Sequence, residues 1–234
     1  MWAGLLSVAV NYHLNVMGGP RKITAISPQK RNPHRRSVFL NGEFAFGLSE
    51  EVIEKYRLRV GSEIDEETIT QILEKDEVAR ARDSALRYLS YRPRSKKEVI
   101  DKLSEKGYNE STIAKVIEDL IKAGLIDDLE FSRMWARDRL KNRPKGRRLI
   151  AQELWQKGVA DEISRRAIEE VFRDVDEGEI AATLLERRLR RYRDLDQVRA
   201  KRRMFEFLLR RGFDRETIGK VVAEAWRKLE DEVW

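Results

Sequence analysis

A short helix-ending pattern recurs three times along the chain and limits what the chain can fold into. It closes each time on a glycine, at Gly107, Gly158 and Gly212, so that the spacings are 51 and 54 residues. An apolar residue follows each glycine, namely Tyr108, Val159 and Phe213. Helices commonly end on a glycine in the left-handed conformation, with the next side chain folded back onto the helix. The pattern predicts three tandem units of about fifty residues.

Each unit is expected to contain three helices, because capping and breaking residues divide it at matching places. Ser95 and Glu98 have the spacing of a capping box, and Pro144 interrupts the chain before the equivalent helix of the second unit. The predicted helices span 77–90, 95–106 and 109–123 in the first unit, 127–142, 147–157 and 161–172 in the second, and 176–193, 195–211 and 214–231 in the third.

The same offsets align apolar residues that are expected to form the core of each unit. The aligned positions are Val99 with Ile150 and Met204, Leu103 with Leu154 and Leu208, and Val116 with Ala167 and Val221. A single three-helix unit buries little apolar surface, whereas stacked units cover the apolar faces that each unit leaves exposed. We therefore predict a mainly α fold in which three three-helix repeats form an elongated, curved array.

The residues before the repeats predict a small β/α module. Short β-prone runs occupy 23–26, 37–40 and 43–46, and Asn41-Gly42 between the last two is the signal of a type I′ hairpin turn. Ser49 and Asp65 then begin helices that are expected to reach about Tyr56 and about Glu74. We place the end of this module near residue 76.

These boundaries divide the chain into five parts. They are a β/α module at 21–76 and three-helix repeats at 77–126, 127–175 and 176–234, preceded by residues 1–20. The first twenty residues lack the basic start and the cleavage pattern of a signal peptide. We interpret them as a disordered extension or as the product of an upstream start codon, with Met17 near the working start.

The chain carries 48 Lys and Arg against 41 Asp and Glu, and the whole excess of +7 lies after residue 80. Such an imbalance favours polyanions or acidic proteins as partners. Cysteine is absent, which excludes disulfides and thiolate metal sites. No apolar run approaches the roughly 18 residues that span a bilayer, so we expect no membrane insertion and a cytoplasmic location.

Basic residues recur at one place in each unit, at the start of the predicted middle helix. These clusters are Lys96-Lys97, Arg147-Arg148 and Lys201-Arg202-Arg203, and the preceding loops add Arg92, Arg94, Arg143 and Lys145. We predict that together they form a basic stripe facing phosphates or acidic protein surfaces. The alternative is a solvated helix surface, which is the usual role of Lys and Arg in a chain with 38% charged residues.

Aromatic residues in the repeats are expected mainly to pack. Trp135, Trp155, Phe172, Phe205 and Trp226 fall at helical spacing and are interpreted as core or inter-repeat residues. Tyr88, Tyr91 and Tyr192 lie beside basic residues and are the better candidates for base stacking.

Catalytic patterns are missing from the sequence. The two histidines, His13 and His34, both precede residue 40, and there is no phosphate-binding GxxxxGK[ST] motif, nucleophile elbow or metal-ligand spacing. We expect a protein that is not an enzyme and that uses no cofactor and no metal.

Three segments resemble the RecX family. The first two are the run Ala85–Val99 with the later Gly124–Asp128, and Pro144-Lys145-Gly146 followed by 152–159. The third, Phe39–Ser49, resembles the extra module of longer members of that family. The third repeat is the least typical, since a plain Asp194-Leu195-Asp196 turn replaces the Arg-Pro of the first.

The resemblance implies tandem three-helix repeats that lie in the groove of the RecA–DNA filament and restrain its growth, its ATPase and strand exchange without chemistry of their own. It implies a role in DNA repair, homologous recombination and the SOS response, with the RecA filament as partner and contact with single- or double-stranded DNA. We expect a monomer. A different class of function stays open, that of an autonomous nucleic-acid-binding helical repeat protein, because three-helix units with basic second helices can mimic helix-turn-helix domains.

Overall fold

A computed structural model describes residues 20–30 and 32–231. The interpretation of residues 1–20 therefore falls almost entirely outside the described part of the chain. The described residues divide into two compact units. The first reaches Ser84 and includes Tyr108–Thr112, and the second contains Ala85–Gly107 and everything from Ile113 onward.

The first unit is built on an antiparallel sheet with strand order β3-β2-β1-β4. The strands are β1 Arg21–Gln29, β2 Asn32–Leu40, β3 Glu43–Ser49 and β4 Glu63–Ile64, with helix α1 at Glu50–Lys55. Asn41 and Gly42 both have positive φ, 52° and 90°, which a type I′ turn requires, so the predicted hairpin is confirmed. Strand β4 was not predicted, because two residues are too few to show a β pattern.

Apolar side chains from the sheet and its helices form one core in this unit. Ile23, Val38 and Leu48 of the sheet are buried with Ile69 and Ile72 of the following helix. The predicted caps are confirmed, since Ser49 accepts from the amide of Val52 and Asp65 accepts from the amide of Thr68.

Helix α2 runs without interruption over Glu66–Leu89. The sequence predicted a break between Glu74 and residue 77, and that prediction was wrong. No proline or glycine occurs there to end the helix. Asp76, which is only 2% exposed, accepts hydrogen bonds from the Arg35 guanidinium at 2.9 Å and the Ser49 amide at 2.8 Å. A buried carboxylate inside the helix thereby ties it to the sheet.

The remaining helices follow the predicted order. They are α3 Lys96–Glu105, α4 Glu110–Lys122, α5 Asp128–Asn142, α6 Arg147–Gln156, α7 Asp161–Val171, α8 Glu177–Glu186, α9 Gln197–Arg210 and α10 Arg215–Asp231. The middle helices of the three repeats are α3, α6 and α9. Helix α8 ends at Glu186, seven residues before its predicted end, and a short 3-10 turn follows at Leu189–Arg191. Leu185, Leu189 and Tyr192 keep helical spacing, so the sequence carries no signal for that break.

The repeat alignment is confirmed in detail. The φ angles of Gly107, Gly158 and Gly212 are 80°, 74° and 87°, all in the left-handed region. All nine aligned apolar positions, from Val99 to Val221, are buried. The structure is thus mainly helical, with a small N-terminal sheet module before three three-helix repeats.

Candidate interaction surface

The middle helices of neighbouring repeats meet end to end. The Ser95 hydroxyl, at the start of α3, donates a 2.7 Å hydrogen bond to the carbonyl oxygen of Lys157 at the end of α6. At the next junction the Gly146 amide, at the start of α6, donates a 2.9 Å bond to the carbonyl oxygen of Arg211 at the end of α9. A hydrogen-bond donor at the start of one helix, a hydroxyl at the first junction and an amide at the second, thereby meets a free carbonyl at the end of the other, which satisfies the carbonyl and aligns the helix dipoles.

Glycine allows the helix ends to approach this closely. A Cβ atom on Gly158 would collide with the side chain of Lys97, and one on Gly146 would collide with the main chain at Gly212. The terminating Gly212 is equally close to Leu149 of the second repeat. Gly158 and Gly212 therefore end a helix and also leave room for the neighbouring repeat.

An acidic residue from the following repeat caps each junction. The Lys96 amide donates to Asp128 at 2.8 Å, and the Arg147 amide donates to Glu177 at 3.0 Å. Asp128 and Glu177 are both the first residue of the first helix of the next repeat. In the third repeat Asp196 caps the middle helix locally and accepts from the Arg199 amide at 3.0 Å, as Ser95 accepts from the Glu98 amide in α3 at 3.2 Å.

Glu98 joins the first two repeats electrostatically. Its carboxylate accepts hydrogen bonds from Arg92 at 3.0 Å, from Lys157 at 2.9 Å and from the Ser95 amide at 3.2 Å. Burial alone would raise the pKa of Glu98, but these donors outweigh it and lower the pKa to about 2. The charged carboxylate is thus part of the junction.

Glu153 accepts a similar set of hydrogen bonds, but within the second repeat. It accepts hydrogen bonds from Trp135 Nε1 at 2.8 Å and from Arg139 Nε at 2.7 Å, and it also pairs with Lys145. Burial acts to raise the pKa of Glu153, while the three donors lower it below its usual value. The Trp135 ring lies between two cations, with Arg139 at 4.0 Å and Lys157 at 4.6 Å from its centroid.

The predicted basic residues fall into different environments. Five of them are paired with a carboxylate of the same chain: Arg92 with Glu98, Lys97 with Asp101, Lys145 with Glu153, Arg147 with Glu177 and Arg202 with Glu206. Two lie over aromatic rings, Arg94 at 3.9 Å from the Tyr88 centroid and Lys201 at 5.8 Å from that of Trp226.

Four predicted cations remain without a side-chain hydrogen bond or ion pair to the part of the chain that the structure describes: Lys96, Arg143, Arg148 and Arg203. All four are exposed. Arg147 differs most from these, because its guanidinium pairs with Glu177 at 2.8 Å and lies 4.9 Å from the Phe172 ring centroid. Its immediate contacts account for its position without any external partner.

Arg148 lacks an ion pair among the described residues because of one difference between the repeats. Its equivalents Lys97 and Arg202 each pair with an acidic residue four positions later. In the second repeat the corresponding residue is Gln152, which leaves the guanidinium of Arg148 free to contact a partner.

The aromatic predictions are partly wrong. Trp155 was expected to pack, yet 73% of it is exposed. Tyr192 was expected at the surface, yet it is buried in the core of the third repeat. Tyr91 is 84% exposed, as a stacking candidate requires. The Trp155 error arises because the apolar pair Leu154-Trp155 does not reveal which of the two faces the core.

Four known protein domains match this chain, one after another along the sequence. The chain matches the regulatory protein RecX N-terminal domain over residues 21–65. It also matches the first, second and third three-helix domains of RecX over 81–120, 127–168 and 176–222.

The chain belongs to the RecX family.

Curated RecX relatives extend the match over most of both chains. The regulatory protein RecX of Clostridium perfringens strain 13 is 34% identical over 203 residues, which cover 86% of this chain and 94% of the relative. The regulatory protein RecX of Bacillus licheniformis is 35% identical over 202 residues, which cover 86% of this chain and 76% of the relative.

Solved RecX structures share the fold. A crystal structure of regulatory protein RecX superposes with a TM-score of 0.71 at 30% identity and covers 86% of this chain and 98% of that one. RecX from Lactobacillus salivarius gives a TM-score of 0.60 at 29% identity, with 64% of this chain and 97% of that one covered. The third repeat, the least typical in sequence, lies within the matched RecX domains.

Sequence reasoning missed the RecX junction residues. Glu98 was interpreted only as part of a local capping box, and the junction contacts of Asp128, Lys157 and Glu177 were not predicted. The signal was present in the repeat alignment, because acidic residues open the first helix of both the second and the third repeats. Within the described residues, no group of three His, Asp or Glu side chains could hold a metal ion, and no helix is long and apolar enough to cross a membrane.

Proposed function

We propose that this chain regulates the RecA recombinase by binding the RecA–DNA filament and restraining its growth, ATP hydrolysis and strand exchange. The observation that carries this proposal is the full, ordered set of four RecX domains, in a family whose members are named regulatory proteins. The protein would act in the cytoplasm, as a monomer and without a cofactor or chemistry of its own, in recombinational repair and the SOS response. The domain limits at residues 76, 126 and 175 are part of this proposal.

The contact surface is proposed to lie on the exposed cations of the repeats. Arg143, Arg148 and Arg203 have no ion pair with the residues that the structure describes, so binding an external anion costs them no such pair. The paired cations, such as Lys97 with the exposed Asp101, can contribute as well, because exposed pairs of this kind are weak.

A RecA ATPase titration tests the proposal. The protein should reduce ATP hydrolysis by RecA on single-stranded DNA, at concentrations that barely shift the free strand in a mobility assay. Unchanged hydrolysis, with or without binding to naked DNA, would contradict it.

The second candidate is an autonomous nucleic-acid-binding repeat protein. It is favoured by the exposed surface of α6, which has no carboxylate. This candidate predicts tight binding to naked DNA with a steep dependence on salt, because each phosphate contact releases counterions. Binding to naked DNA without any effect on RecA would favour this candidate over the first.

A further inference from the structure

Helix α6 exposes a tryptophan, an arginine and two amide side chains. Its exposed residues are Arg148, Gln152, Trp155 and Gln156, and none of them is acidic. Arg148, Gln152 and Trp155 follow one another at spacings of four and three residues, so they lie on one side of the helix. The equivalent helix of the first repeat, α3, exposes both Asp101 and Glu105.

The Trp155 side chain makes no hydrogen bond, ring contact or cation contact with the residues that the structure describes. Trp135 and Trp226, the other tryptophans that the structure describes, are partly buried and lie against cations of the same chain. Trp155 leaves 73% of its surface exposed on a short helix whose core contacts come from Ile150 and Leu154. A large flat ring exposed in this way contributes little to folding and is available to a ligand.

Cations lie at both ends of this face. Arg148 occupies the first turn of α6, about 10 Å along the helix axis from Trp155 at 1.5 Å per residue. At the other end the Lys97 side chain passes over Gly158, three residues beyond Trp155, and its ammonium group pairs with the exposed Asp101 at 2.6 Å. An exposed aromatic ring and an arginine on one helix face that bears amides and no carboxylate are features that single-stranded nucleic acids recognise.

We propose that this face of α6 binds single-stranded nucleic acid, with Trp155 stacking on one base and Arg148 contacting a neighbouring phosphate. The proposal deepens the function proposed above and rests on it in one respect, since the strand would be that of the RecA–DNA filament. Gln152, between the two, can donate and accept hydrogen bonds at a base edge. A protein partner fits less well, because Trp155 is the only exposed apolar side chain of α6.

The test uses the full chain and a fluorescein-labelled oligothymidylate of about 20 nucleotides, with binding followed by fluorescence anisotropy. Trp155→Ala should weaken binding roughly tenfold, within the range for losing one stacked base. Trp155→Phe, which keeps an aromatic ring, should stay within about threefold of the native protein. Arg148→Gln should reduce by about one the slope of the logarithm of affinity against the logarithm of salt concentration, because one phosphate contact is lost. Leu209→Ala, at the equivalent position of α9, is the matched control and should bind as the native protein does.

Native-like binding by Trp155→Ala, or an equal loss with Trp155→Phe, would overturn the inference, as would a native protein that fails to bind the oligonucleotide. Circular dichroism of each variant shows whether it is folded. The RecA ATPase assay separates this inference from the proposed function. A Trp155→Ala protein that binds the oligonucleotide normally but no longer inhibits RecA would identify the face as a protein contact, which overturns the inference and leaves the regulatory role standing.

Discussion

The hydroxyl of Ser95 donates to the carbonyl oxygen of Lys157, 62 residues later in the chain, at 2.7 Å. The same hydroxyl oxygen accepts a hydrogen bond from the Glu98 amide at 3.2 Å, which completes the capping box of α3. Ser95 is fully buried, so both bonds are shielded from water. One small side chain therefore starts a helix in the first repeat and holds the end of a helix in the second.

Ser95→Ala should destabilise the repeats by about 1–3 kcal/mol, because it removes a helix cap and leaves the Lys157 carbonyl without its partner. Urea unfolding followed by circular dichroism measures the loss. Ser104→Ala, an exposed site on the same helix, is the control and should unfold at the native midpoint. Equal midpoints for both variants would show that the junction bond is not needed.

Glu98 should make stability depend on acid pH. Its pKa falls from 4.5 to about 2 on folding, so its stabilising contribution is complete above about pH 4.5 and is lost as the pH drops toward 2. Glu98→Gln should lower the free energy of unfolding at neutral pH and flatten its dependence on pH in that window. Glu105→Gln, an exposed carboxylate on the same helix, serves as the comparison. A native-like acid profile for Glu98→Gln would refute the assignment.

Gly158→Ala should destabilise the protein by about 1–2 kcal/mol, because alanine is strained at a φ of 74°. Its Cβ would also collide with the Lys97 side chain, which adds to the cost. Gly219→Ala is the opposite case, since this glycine lies inside α10 with open space at its Cβ position. There we expect the free energy of unfolding to rise by about 0.5–1 kcal/mol, because alanine has a higher helix propensity than glycine. Thermal unfolding checks that Gly158→Ala lowers the unfolding temperature and that Gly219→Ala raises it.

Charge reversal should separate the binding and structural roles of two adjacent arginines. Arg148→Glu should leave stability nearly unchanged and raise the concentration for half-inhibition of RecA ATPase roughly tenfold, equivalent to about 1.4 kcal/mol. Arg147→Glu should instead lower the unfolding temperature, because it places a carboxylate beside Glu177. Lys115→Glu on α4 makes the same charge change at another exposed site. If Lys115→Glu weakens inhibition as much as Arg148→Glu does, the effect reflects net charge alone.

The sequence was sufficient for the repeat framework because that framework depends on local chemistry. Gly107 and its two equivalents mark helix ends through backbone conformation, and the buried positions around Leu103 recur at the same offset from them. The hairpin at Asn41-Gly42 was predictable for the same reason, since its turn type requires those residues.

What could not be predicted depends on contacts distant in sequence. Asp76 has the appearance of a residue near a helix start, and only its bonds to Arg35 and Ser49 show why α2 continues through it. Arg147 and Arg148 are indistinguishable as a basic pair in the sequence. The difference between them is the position of Glu177, which a folded junction brings to one and not to the other.

The caps on the middle helices have a consequence for how many repeats such a chain can join. Lys96 and Arg147, the first residues of α3 and α6, each donate their amide to an acidic residue of the repeat that follows. Asp196 caps α9 at a different amide, that of Arg199, in the way that Ser95 accepts from Glu98 in α3. Among the described residues, the amide of Gln197, the equivalent of Lys96 and Arg147, has no hydrogen-bond partner. A further repeat joined by design after the third could therefore cap that amide with an acidic residue at the start of its first helix.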